Sequence, residues 1–207
     1  MQNKQPKSEI TRSKILAAAE DEFSDKGYFG ARIDAIADAA GVNKRMIYEH
    51  FVSKEGLYME ALLSVYKKLS ECEREFFVEN LEPTLAIKNV VYVCFRFLEQ
   101  TPSFVRMLMW ENLNNAASLS ADAVRSLKQP TIDYIVKQIT RGKEQGIFKP
   151  DINEYQIVVS IMNFGFSYFS NIHTLSTIFN KDMTAPSEVI SRAEFVSNLI
   201  LEHLIKK

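Results

Sequence analysis

A chain of 207 residues, 46% of them hydrophobic, can bury a real core in one large domain or in a small head joined to a larger body, which excludes a disordered tail. Its formal net charge of −1 excludes a global basic field, so a nucleic-acid role has to come from local patterning. Two cysteines, Cys72 and Cys94, sit in apolar helical surroundings and suit reduced thiols rather than a zinc site or a disulfide framework. The opening MQNKQPKSEI lacks an apolar signal core, and the most apolar stretch, IVVSIMNFGFSYF, is too short and too broken by polar residues to span a bilayer. A soluble, cytoplasmic protein with no membrane partner is expected.

Few glycines and prolines, and apolar residues recurring at helical spacing, predict an all-α fold without strands. A first helix is expected from about Ser8 to Lys26, with Ile15, Ala19 and Phe23 on one stripe and Gly27 as its stop. Ile33, Ile36, Ala37 and Ala40 mark a short second helix closed by Gly41. Asn43 is placed to cap a third, which buries Ile47 and Phe51 and turns Lys44, Arg45, Tyr48 and Met46 to solvent. Ser53 is placed to cap a fourth helix, running to about Asn80 along Leu57, Ala61, Leu62, Val65 and Leu69.

Two short helices joined by a glycine corner form a helix-turn-helix unit, whose second helix would lie in a major groove. Lys44 and Arg45 occupy the first turn of that helix, where base edges come within reach, and Arg45 could pair with a guanine or end on phosphate. Lys54 opens the fourth helix, where its charge and the free backbone amides both suit a phosphate oxygen. Residues 1 to 54 hold 9 Lys and Arg against 8 Asp and Glu, so affinity must rest on this local face.

The stretches IADAAGVN at 36 to 43, IYEHF at 47 to 51 and SKEGL at 53 to 57 resemble the DNA-binding head of the tetracycline-repressor (TetR) family. The resemblance implies a three-helix helix-turn-helix head, residues 1 to 53, and a larger C-terminal helical domain for effector binding and dimerisation, residues 54 to 207. It implies a homodimeric transcriptional regulator, usually a repressor, that binds a double-stranded DNA operator and is released from it by a small-molecule effector. By the same resemblance Tyr48, His50 and Lys54 contact phosphates, while Asn43, Lys44, Arg45 and Met46 approach bases. Two departures stand out. Ala31 and Arg32 replace a customary Ser or Thr pair, with Arg32 offered as the phosphate contact instead, and Arg45 and Met46 replace Gly followed by Ser or Thr.

The fifth helix is expected from Pro83, and the sixth opens on Thr101 and Pro102. Pro130 either starts or kinks the seventh, and Gly146 ends it. From Tyr155 to Phe179 apolar residues occupy every face, as in a helix buried on more than one side. The last helix carries Val189, Ala193, Val196, Ile200 and Leu204 at spacings of four, three, four and four. With Ile161 and Gly165 these residues predict a four-helix seam between two copies, against the plainer reading as monomer core. Candidate effector contacts combine aromatics with isolated polar groups: Phe97, Phe104, Trp110, Asn163, Phe166, Tyr168 and His173, with Arg96 and Arg106 as anion partners.

No enzyme is expected, because the three histidines, His50, His173 and His203, are scattered without carboxylate or cysteine partners at ligand spacing, and neither metal nor cofactor is implied. Two other readings compete: a constitutive DNA-binding regulator without effector, and a helical interaction protein that binds no DNA.

Overall fold

Apolar spacing of three and four resolves, among the described residues, into ten helices and one isolated bridge, Phe148 to Ile205. The structure, a computed structural model, describes residues 7–74 and 77–206. Two compact units emerge from the contacts: the described residues up to Lys68 with Ser103–Val124, and the remaining described residues from Leu69 to Pro102 and from Arg125 onward.

In the first unit α1 (Lys7–Gly30) buries Ile15, Ala19 and Phe23, and its helical path breaks at Gly27 (φ 65, ψ 177). The stop expected at Gly27 is thus a break, after which one more turn follows. Helices α2 (Ile33–Ala40) and α3 (Lys44–Phe51) meet at Gly41, whose left-handed φ of 65° lets the chain reverse while its N–H bonds the Asp38 carbonyl at 3.1 Å. Asn43 caps α3 as expected, its Oδ1 accepting the Arg45 N–H at 2.9 Å. Ser53 Oγ likewise accepts the Gly56 N–H at 3.0 Å and opens α4 (Lys54–Arg74). Leu57, Tyr58 and Ala61 of α4 are buried, as are Ile36 and Ile47, and the Tyr58 ring meets Phe23 edge-on at 4.8 Å. The expected run of α4 to Asn80 is not found: α4 is described as far as Arg74, 75 and 76 lie outside the described residues, and 77 to 80 are not helical. Helix α6 (Pro102–Leu113) lies in this unit from Ser103 and buries Phe104, Val105, Met107 and Glu111.

The second unit is built on α5 (Pro83–Gln100), α7 (Ala121–Glu144), α8 (Glu154–Ser170), α9 (Ile172–Phe179) and α10 (Pro186–Leu204). Pro130 does not start α7: it lies inside a helix that begins nine residues earlier, at Ala121. The apolar run from 155 to 179 is not one helix but two, divided at Asn171. Helix α10 packs against α5 and α8, and its Val189, Ala193, Val196, Ile200 and Leu204 join Phe95, Val158 and Ile161 in one buried cluster. This corrects the expected dimer seam. Those five residues, with Ile161 and Gly165, are covered by the subunit's own helices; a Cβ on Gly165 would stand 3.0 Å from Cys94 Sγ and from a Leu98 methyl. A four-and-three spacing marks a covered stripe without saying what covers it. The outward faces are different: Tyr155, Val159 and Met162 on α8, and Phe195 and Leu199 on α10, are exposed at spacings of four and three or at four.

Candidate nucleic-acid interface

Helix α3 offers a short face on which cations and their partners alternate. Ile47 and Phe51 are buried, which leaves Lys44, Arg45, Tyr48 and Glu49 exposed and Met46 and His50 half-buried. Lys44 Nζ pairs with Asp34 Oδ1 of α2 at 2.9 Å, and this hydrogen bond and charge raise the lysine above its ordinary range. Arg45 Nε pairs with Glu49 Oε1 at 2.8 Å, one turn along, with the arginine side chain 85% exposed. Such an exposed pair is worth about 0.3–0.5 kcal/mol, so a phosphate or a guanine edge can take the guanidinium from it.

The residues flanking α3 are held more firmly. Arg32 stands at the N-cap of α2 with extended backbone and no side-chain cap; its own N–H donates instead to Glu22 Oε1 of α1 at 3.0 Å. Burial pushes the Glu22 carboxyl up, but that N–H and the nearby Lys26 outweigh it and hold the group below the usual carboxylate range. Glu22 thus holds the N–H of the N-cap residue itself, the first-turn amides of α2 receive no side-chain cap, and the Arg32 side chain is exposed beside α3. Lys54 points inward: Nζ donates to the Ala31 carbonyl at 2.6 Å and lies 5.0 Å from the centre of the Tyr28 ring. Arg12 of α1 lies over the Phe51 ring at 5.0 Å and pairs with Glu60 at 2.9 Å, tying α1 to the far end of α3 and to α4. Arg32, Asn43, Lys44, Arg45, Met46, Tyr48 and His50 therefore lie on or beside one short helix, and Lys54 braces the corner behind it.

The profile of the N-terminal domain described as "Bacterial regulatory proteins, tetR family" matches residues 15–61, and the one described as "Tetracyclin repressor-like, C-terminal domain" matches residues 83–200. The HTH-type transcriptional repressor NicS of Pseudomonas putida is 30% identical over 195 residues, covering 94% of this chain and 92% of that protein. The chain belongs to the TetR family of transcriptional regulators. Within the family it is also 34% identical over 139 residues to the HTH-type transcriptional activator FasR of Mycolicibacterium smegmatis, covering 67% of this chain and 63% of that one. A TetR regulator from Chloroflexus aurantiacus has the same fold, with a TM-score of 0.75 at 19% identity over 97% of this chain and 99% of its own.

As a TetR-family regulator the protein is a DNA-binding protein, and its relatives are regulators rather than enzymes. Among the described residues no group of three metal-ligating side chains occurs and no helix is long and apolar enough to cross a membrane.

The seven candidate effector contacts are dispersed. Phe104 and Trp110 lie in the first unit, where Phe104 meets the Tyr66 ring edge-on at 5.4 Å and Trp110 Nε1 donates to the Ser24 carbonyl at 3.3 Å. Phe97 and Tyr168 are buried in the second unit, Phe166 is half-buried, and Asn163 and His173 are exposed. Tyr168 donates to the Met183 carbonyl at 2.7 Å and borders an open groove along α8, α9 and α10. None of the seven lines the more enclosed cavity of that unit, which lies between the end of α4 and helices α5, α7 and α8. Its charged groups, Glu73 and Lys128, are not among the residues that the sequence marks as effector contacts. The available signal was Lys128 standing four residues before Ile132 and seven before Ile135, a lysine on an apolar stripe.

Proposed function

We propose that this chain is a homodimeric repressor that a small molecule releases from its operator. The observation that carries the DNA reading is the exposed first turn of α3, where Lys44 and Arg45 follow the Gly41 corner on a helix short enough for a major groove. Residues 1–53 are the head in this reading and 54–207 the effector-binding and dimerisation domain. Arg45 reads a base and Lys44 follows the groove with Asn43 and Met46, while Arg32, Tyr48 and His50 contact phosphate. Lys54 has a double part: its ammonium holds the α1–α2 corner, and the amides at the start of α4 receive a phosphate oxygen.

Two heads are needed to reach successive faces of the duplex, and the exposed stripes of Tyr155, Val159 and Met162 and of Phe195 and Leu199 supply a second-copy surface. Repression is preferred to activation because the match to NicS spans nearly the whole chain, whereas that to FasR spans two thirds. The protein acts in the cytoplasm, where its operator is.

Selection from a randomised duplex library is the test. Enrichment of a two-fold symmetric site with half-sites roughly 34–36 Å apart, or a multiple of that, is the expected result. A pool that stays random would remove the operator reading and leave a helical interaction protein. If a broad small-molecule library neither stabilises the protein nor alters its hold on the selected site, a constitutive regulator replaces the ligand-released one.

A further inference from the structure

The second unit encloses about 30 Å³ of free space between the end of α4 and helices α5, α7 and α8. Its wall is apolar, formed by residues such as Val93, Cys94, Ile135 and Val158. Burial pushes the Cys94 thiol up to about 12, so it is a neutral part of that wall. At one end sits a charged trio. Glu73 of α4 accepts from Lys128 Nζ on one oxygen and from Thr131 Oγ1 on the other, both on α7 and both at 2.5 Å. The side chains of Lys128 and Glu73 are only 9% and 12% exposed. An ion pair in that setting is a weak source of stability, since desolvation offsets most of the attraction. What it does fix is a carboxylate-shaped position at the end of an apolar space.

We infer that the cavity is the site of a small apolar monocarboxylate, which replaces the Glu73 carboxylate on Lys128 and Thr131. This rests on the ligand-released reading above and names the chemical class of its ligand. The direction of exchange follows from where the two charges sit. Lys128 lies seven residues into α7 on the stripe of Ile132 and Ile135 and cannot leave. Glu73 is the last but one of the described residues of α4, its side chain is 12% exposed, and its neighbour Arg74 is exposed, so its carboxylate has a route to water. An incoming cation would instead strand the Lys128 ammonium, because Glu73 is the one carboxylate among the cavity's described lining residues.

The volume agrees with an exchange rather than a simple filling. An apolar cavity of ~150 Å³ takes benzene, and the present space is far smaller, so a ring or short chain enters only as Glu73 withdraws. Withdrawal would free the last described turn of α4, the helix that begins at Lys54. Binding and the state of α4 are thereby two sides of one equilibrium, and each must bias the other by the same factor.

The test is titration calorimetry on the full chain with benzoate and hexanoate as probes, and benzamide and benzylamine as neutral and cationic controls. Glu73→Gln keeps the shape of the competitor and removes its charge; it should bind at least one of the two carboxylates about tenfold tighter than the unmodified chain, and neither control. The doubly neutral Glu73→Gln/Lys128→Met variant avoids a stranded buried charge, should melt cooperatively with unchanged helical dichroism, and should not bind the carboxylates. Failure of both carboxylates to bind Glu73→Gln, binding no tighter than to the unmodified chain, retention of binding in the folded double variant, or a preference for benzylamine would each overturn the assignment. If the carboxylate pattern holds but operator affinity does not change, the site stands and the ligand-released reading falls. If benzamide releases the operator while neither carboxylate binds, the reverse is true.

Discussion

The Trp110 indole lies against Gly27 so closely that a Cβ added to the glycine would stand 2.7 Å from ring carbon Cδ2. Gly27 also has φ of +65°, the conformation that lets α1 break before its last turn. Replacing it with alanine therefore strains the backbone and collides with a rigid ring at once. Gly27→Ala is expected to destabilise the protein by about 2–4 kcal/mol, the sum of the two effects. Trp110→Ala should relieve the collision, so the double variant should lose less than the two single losses added together. Chemical denaturation of the four proteins measures this, and simple additivity would mean that the indole is free to move away.

Tyr58 and Glu111 make the second fixed relationship in the first unit. The Tyr58 hydroxyl donates to Glu111 Oε1 at 2.8 Å, and Oε2 of the same carboxylate accepts the Ser118 N–H at 3.1 Å. Both side chains are buried. Tyr58→Phe leaves one carboxylate oxygen without a partner and should cost about 1–3 kcal/mol. Burial first, then the hydrogen bond and charge of Glu111, raise the Tyr58 hydroxyl above the ordinary tyrosine range. The folded state thus holds a proton that the unfolded chain releases near pH 10. The associated stability is complete below that pH and declines as pH rises beyond it towards the folded value. The melting temperature should fall from pH 9.5 to 11 in the parent and fall less steeply in Tyr58→Phe; parallel profiles would refute the link.

The head was legible in the sequence because its stops and starts are local. Gly41, Asn43 and Ser53 act on residues two to four positions away, and each does in the structure what its side chain suggested. What failed to show was long-range. Val189 to Leu204 announce a stripe that must be covered, yet only the packed structure reveals that α5 and α8 cover it. Trp110 has the look of a pocket aromatic, but its neighbour is Gly27, far back in the chain. Glu73 and Lys128 are 55 residues apart, and no spacing rule joins them.

Val52 is the strained residue of the head. It sits between α3 and α4 at φ 66°, ψ −48°, in a three-residue turn closed by the Ser53 N–H to the Phe51 carbonyl at 2.7 Å, and is 84% exposed. A β-branched residue held at positive φ costs roughly 1–3 kcal/mol, against roughly 0.4–1 kcal/mol of extra chain entropy that glycine would introduce. Val52→Gly should therefore stabilise the protein by about 1 kcal/mol, read as a higher melting temperature. A lower one would show that the valine side chain makes a stabilising contact.

Leu199 and Ile200 are neighbours in α10 with opposite surroundings, Leu199 being 42% exposed and Ile200 3%. Ile200→Glu puts a charge in the subunit's own core and should unfold the chain, at a cost of more than about 3 kcal/mol. Leu199→Glu puts it on the proposed second-copy surface. The expected product is a folded monomer by sedimentation, with operator binding lost. A Leu199→Glu protein that remains dimeric would move the interface off this face of α10.

The Arg45–Glu49 pair separates base reading from charge. Arg45→Ala should lower affinity for the selected operator by about 1–3 kcal/mol and relax preference at one base position, as expected for loss of an arginine bonded to a guanine. Glu49→Gln removes an anion from the DNA face and releases Arg45 from a pair worth about 0.3–0.5 kcal/mol, so operator affinity should rise about twofold or more. The two changes are coupled through one hydrogen bond, which makes the double variant decisive. If Glu49 acts by holding Arg45, the gain from Glu49→Gln should shrink once Arg45 is alanine; if it acts by repelling phosphates, the gain should be the same in both backgrounds. Mobility shifts at two salt concentrations distinguish the cases, because phosphate repulsion alone weakens with salt on every sequence. Unchanged affinity and unchanged base preference in Arg45→Ala would remove Arg45 as the reader and shift that role to Lys44, released from Asp34 by the same kind of exchange.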